Sequence, residues 1–201
     1  VYLTDMAALI ARLGVEEVDW VGTSLGGLLG MMLAAQPNNP IRRLVLNDIG
    51  AFIGKEALQR IAGYVGADPL FADLDALEAY LREVNAPFGP LSDDQWRHIA
   101  VHSARPDPAG TGLRLHYDPG LAAPFKEGFG ADVELWPVWD AITCPVLIVR
   151  GVNSDILTHE TAQTMLTRGP GAELIEFPGV GHAPMLMDAA QIEVVRTFLL
   201  R

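Results

Sequence analysis

Four short apolar runs punctuate the chain, at Val18 to Val21, Leu44 to Leu46, Val146 to Val149 and Leu174 to Phe177, each bounded by glycine, proline or polar residues. Runs of that length with those boundaries predict buried strands. Between and after them the apolar spacing becomes helical, at Leu25 to Ala35, Glu160 to Leu166 and Ile192 to Leu200. An earlier helix is predicted where Met6, Leu9, Ile10 and Leu13 share one face, with Thr4 as its cap and Gly14 as its left-handed stop. Strands that alternate with helices predict parallel strands joined by crossover helices, and hence an α/β fold.

Residues 51–136 break this rhythm with helices and loops and contain no convincing long buried strand. In "DALEAYLREV", Leu77, Tyr80, Leu81 and Val84 fall on one face, and Asp75 and Glu78 have the spacing of a capping box; Ser92 and Gln95 repeat that signal. The expected organisation is a core made of residues 1–50 and 137–201, interrupted by a helical insert at 51–136. An insert between two strands of a parallel sheet lies near their carboxyl ends, where ligands bind. It reads as a lid, with a decorative helical layer as the alternative.

Charge and composition remove several functions. With 25 acidic against 14 basic residues the formal net charge is −11, which opposes binding to nucleic acid or to anionic lipid. The apolar run from Leu25 to Ala35 falls well short of the roughly 20 residues that span a bilayer. Cys144 is the single cysteine, so no internal disulfide is expected and a reducing, cytoplasmic setting is favoured. The opening "VYLTDMAALIARLG" has neither an initiator methionine nor the regions of a signal peptide, so the chain is expected to start part-way along a longer protein. His98 and His102 are four apart on a predicted helix without the intervening glutamate of H-E-x-x-H; no metal and no cofactor are expected. Trp136 and Trp139 read as packing anchors, and Cys144 as a small buried residue at a strand start.

The chemistry concentrates in "VGTSLGG", residues 21–27. Gly22, Ser24 and Gly26 make G-x-S-x-G at a strand-to-helix junction, where a serine on a tight turn projects above the sheet and the glycines permit close backbone approach. The helix that begins at Leu25 aims unpaired N–H groups at the same spot, so the Leu25 N–H is the candidate oxyanion donor. A serine hydroxyl needs a base, and the base needs an orienting carboxylate. "VLIVRGVNSDIL" places Asp155 just beyond a strand, and "LIEFPGVGHAP" places His182 beyond the last one. Ser24, Asp155 and His182 are therefore the candidate nucleophile, acid and base, with Asp48, after the strand that follows the elbow helix, as the rival acid.

These segments, with "RRLVLNDIG", "WDAITCPVLIVRGVNSDIL" and "FPGVGHAP", resemble those of the α/β-hydrolase superfamily over most of the chain. The resemblance implies the C-terminal half of an α/β-hydrolase sheet with a helical lid, and a serine esterase acting on a small ester or other acyl substrate through an acyl-enzyme. It also implies that early strands are absent. The second oxyanion donor of the family often follows a His-Gly pair, which this chain lacks, and losing one such donor costs about 2.7 to 4 kcal/mol in the transition state. The strand at Val18 to Val21 is then expected to form an unpaired edge through which chains self-associate. The alternatives are a carbon-carbon bond hydrolase, although Ala183 stands where such relatives often carry tryptophan, a non-catalytic ligand-binding relative, or an inactive fragment.

Overall fold

The computed structural model describes residues 1–123 and 131–201 and turns all four apolar runs into strands of one parallel sheet. These are β1 (Val18–Thr23), β2 (Ile41–Asn47), β3 (Val146–Gly151) and β4 (Glu173–Phe177), hydrogen-bonded in that order. Thr23 lies opposite Asn47, and Asn47 opposite Val149, so β1 and β2 finish level with one another and β3 runs two residues further. Burial follows position in the sheet. Every residue of β3 is buried, as is the stretch Leu44–Asn47 of β2, whereas β1 and β4 expose alternate residues. Only strands covered on both faces need continuous apolar sequence.

Four helices of eight or more residues accompany the sheet among the described residues, α1 (Tyr2–Leu13), α2 (Leu25–Ala34), α3 (His159–Leu166) and α4 (Ala189–Leu199), with a shorter one at Trp136–Asp140. Helix α2 lies against Trp20 and Leu44, while Phe198 of α4 packs with Val45, Leu147 and Val149. Leu44 and Val45 are consecutive and point to opposite faces, so α2 and α4 cover opposite sides of the sheet. Helix α1 buries none of its residues and ends as expected at Gly14 (φ 67°). Its start differs from expectation: it begins at Tyr2 with no side-chain cap, leaving Thr4 inside the helix.

The chain divides into two compact units, residues 1–54 with 132–201, and residues 55–131. In the first, a short antiparallel pair (Phe52–Ile53 with Val133–Glu134) joins the two ends between which the second unit is inserted. Trp139 is fully buried there, its indole N–H donating to Met165 O and Arg168 O, and Trp136 lies under the Arg168 guanidinium. Cys144 is half-buried just before β3, and burial pushes its thiol up.

In the second unit, helices Leu74–Val84 and Asp93–Ser103 pack around Phe71, Leu77, Leu81, Ala100 and Leu115. The Ser92 and Gln95 capping box is formed, but helix Leu74–Val84 is capped by Asp73, which accepts from Ala76 N–H, and Asp75 instead pairs with Arg97. A cavity of about 350 Å³ in this unit is lined by Tyr64, Tyr80, His102, Leu115 and Tyr117, among others. His98 and His102 sit exposed on one helix, their rings 4.4 Å apart. Among the described residues no helix is long and apolar enough to cross a membrane. Residues 124–130 of the expected insert lie outside the described residues.

Candidate active site

Strand β1 ends on Thr23, and the chain turns into α2 within one residue. That residue, Ser24, has φ 50° and ψ −118°, a conformation that side chains other than glycine rarely adopt. The turn is held by Ser24 N–H donating to Asn47 O at 3.1 Å and by Gly27 N–H donating to Ser24 O at 2.9 Å. It is tight enough that a Cβ on Gly22 would lie 2.4 Å from the Gly26 carbonyl, and one on Gly27 2.4 Å from the Ile49 side chain. The close approach therefore requires glycine at 22 and 27. A Cβ at Gly26, the residue the sequence pattern singles out, would meet open space. Ser24 occupies the N-cap position of α2 without capping it. Its hydroxyl is used elsewhere.

Ser24 Oγ lies 3.0 Å from His182 Nε2, and His182 Nδ1 lies 2.8 Å from Asp48 Oδ2. Asp48 is fully buried, and the His182 side chain is 9% exposed. A carboxylate only accepts, so Nδ1 carries the ring proton and donates to Asp48, which leaves Nε2 free to accept from Ser24. Like Ser24, Asp48 has a positive φ, 57°. Two non-glycine residues with left-handed φ thus stand at the ends of adjacent strands, each presenting a polar side chain to one imidazole.

Asp155 does not hold the place that the sequence suggests. It is exposed in the loop after β3, while its neighbour Ser154 is 7% exposed and turned inward. Consecutive residues of this loop face opposite ways, and the one facing in is a serine. Ser154 Oγ lies 2.5 Å from Asp48 Oδ2, and Gly151 N–H donates to Asp48 Oδ1 at 2.8 Å. Beneath the loop, the buried Arg150 donates to Leu157 O and Val152 O and pairs with Glu176. Burial pushes Glu176 up, but the hydrogen bonds from Arg150 and His159 outweigh it and hold the carboxyl below its usual range.

Asn47 is a second residue that the sequence reading passes over. Its Nδ2 donates to Thr23 Oγ1 at 2.9 Å and to Pro184 O at 2.7 Å, tying the strand before Ser24 to the segment after His182. Its Oδ1 is buried and accepts no hydrogen bond. One signal was available for both Asn47 and Asp48: a polar pair directly after the buried run "LVL". The His182 segment is further fixed by Asn153 N–H donating to Val180 O, and by Gln191, whose Oε1 accepts from Leu186 N–H. Leu25 opens α2, so its N–H has no acceptor within the helix.

A serine on a strained strand-to-helix turn, hydrogen-bonded to a histidine that is itself oriented by a buried aspartate, has the geometry of an activated nucleophile. Residues 2–196 match the model of the alpha/beta hydrolase family. The chain belongs to this family. This alpha/beta hydrolase is 43% identical over 204 residues to the 3-hydroxybutyrate-oligomer hydrolase of Cupriavidus necator, covering 98% of the chain and 70% of that protein. It is 31% identical over 184 residues to the 2-(acetamidomethylene)succinate hydrolase of Mesorhizobium japonicum, covering 90% of the chain and 63% of that protein. Its fold superposes with a TM-score of 0.87 on an alpha/beta hydrolase from Novosphingobium aromaticivorans, at 39% identity over 99% of this chain and 70% of that one. The hydrolase described here therefore spans about two thirds of the length of its relatives.

Proposed function

We propose that this hydrolase cleaves carboxylic esters through an acyl-enzyme on Ser24, with His182 as general base and Asp48 as the acid that orients it. The observation that carries the reading is the pair of hydrogen bonds on one imidazole, 3.0 Å from Nε2 to Ser24 Oγ and 2.8 Å from Nδ1 to Asp48 Oδ2. His182 takes the Ser24 proton as Oγ attacks the substrate carbonyl. The Leu25 N–H stabilises the oxyanion, and the protonated His182 then delivers that proton to the leaving alcohol. Water, activated by the same histidine, releases the acid from Ser24. A 3-hydroxybutyrate oligomer is a run of hydroxy acids joined by ester bonds, and the resemblance to a hydrolase named for it supports an ester with a short acyl group as the substrate. The helical insert at residues 51–136 is proposed as a substrate lid.

The test is fluorophosphonate labelling followed by intact mass, alongside release of p-nitrophenol from a short acyl ester. Labelling of the wild-type chain and none of Ser24→Ala is expected. Asp48→Asn should slow labelling by about 10³- to 10⁴-fold, since it removes the anion that stabilises the imidazolium. Asp155→Asn should stay within threefold of wild type. Rapid labelling of Asp48→Asn with loss in Asp155→Asn would return the acid role to Asp155.

A further inference from the structure

We propose that Ser154 is a positioning residue for the acid: its hydroxyl proton fixes the Asp48 carboxylate and takes up part of the charge that would otherwise face His182. The proposal rests on the Ser24, His182 and Asp48 reading above. Two groups converge on Asp48 Oδ2, the Ser154 hydroxyl at 2.5 Å and His182 Nδ1 at 2.8 Å. A hydroxyl has one proton and two acceptor positions. Both acceptor positions of Ser154 are engaged, by Ile156 N–H at 3.2 Å and Leu157 N–H at 3.1 Å. The remaining direction is the proton's, and it points at Asp48.

The loop cannot readily turn Ser154 away. Arg150 binds the Leu157 carbonyl and the Val152 carbonyl from below, and the backbone N–H groups of Val152 and Asn153 donate to Phe177 O and Val180 O. Ionisable groups beside this loop include Arg150 and Glu176, paired with each other, His159 beside Glu176, and the exposed Asp155. From this loop the Ser154 side chain is hydrogen-bonded to the carboxylate.

The sign of the effect follows. Without the Ser154 proton, more of the Oδ2 charge faces His182 and favours its protonated form. Protonated His182 cannot accept the Ser24 proton, so reactivity should disappear at a higher pH on the acid side. Looser orientation of the carboxylate should also lower the plateau.

The experiment measures the second-order rate of fluorophosphonate inactivation against pH for the wild-type chain, Ser154→Ala and Ser154→Thr, with urea melts to establish that each is folded. For Ser154→Ala the acid-side midpoint should rise by about half a pH unit or more, and the plateau should fall about tenfold, the counterpart of one charge-assisted hydrogen bond. Ser154→Thr keeps the hydroxyl and should recover both. A folded Ser154→Ala with unchanged midpoint and plateau would overturn the proposal, as would a folded threonine variant that behaves like alanine. Absence of labelling at Ser24 in the wild type at every pH would instead overturn the triad reading beneath it.

Discussion

Asn47 shows how much one side chain can organise. Its backbone carbonyl holds the Ser24 N–H, its amide reaches Thr23 on one side and Pro184 on the other, and the next residue is Asp48. Replacing it by leucine keeps the branched shape and removes the unpartnered Oδ1, but leaves the buried Pro184 carbonyl without its donor. Asn47→Leu should therefore destabilise the fold by about 1 to 3 kcal/mol in urea unfolding. At this scale the sequence was partly legible. Ser24 and His182 declare themselves by their glycine-flanked turns after apolar strands. The proposed acid did not, because "VNSD" and "LND" each end a strand with polar residues, and only the path of the backbone decides which side chain turns inward. Burial separates them: Asp48 is fully enclosed, and Asp155 faces solvent.

Among the elements, the junction of β1 and α2 depends on contact between two stretches of backbone. With a methyl at residue 22 only 2.4 Å from the Gly26 carbonyl carbon and oxygen, the strand and the first turn of the helix must separate. Gly22→Ala is expected to destabilise the chain by about 1 to 3 kcal/mol and to slow fluorophosphonate labelling of Ser24 more than tenfold. Gly26→Ala, whose new methyl meets open space, should be the milder of the two in both measurements. Strand identity was legible because the central strands are buried on both faces and must be apolar throughout. Helix starts were less so. "DLDAL" offers two carboxylates, Asp73 and Asp75, and the box spacing favours the second while the backbone starts the helix after the first. Tyr2 and Leu3 likewise extend α1 past its expected cap.

For the whole molecule, the sheet order among the described residues leaves β1 hydrogen-bonded on one side only, with Val21 43% and Leu25 45% exposed near its end. Leu9 and Leu13 of α1 are more exposed still. We expect this edge to pair with another copy despite the net charge of −11, because an open strand offers unpaired backbone groups beside apolar side chains. In sedimentation the 201-residue chain should run as dimers or larger species, and Val21→Lys should shift it toward monomer. A wild-type monomer would count against the edge as a contact surface.

Ser24 and His182 touch across 158 positions of chain, and that separation has a meaning in time. A ribosome adding about 5 to 20 residues per second delivers the serine roughly eight to thirty seconds before the histidine. Throughout that interval the hydroxyl is an ordinary alcohol, because the imidazole that would activate it has not been made. Reactivity arrives only when the last strand has docked and its following turn has closed. On the proposed triad, a newborn chain carries no working nucleophile while its own partly folded surfaces are exposed, and labelling at Ser24 would mark a chain in which the two segments have met.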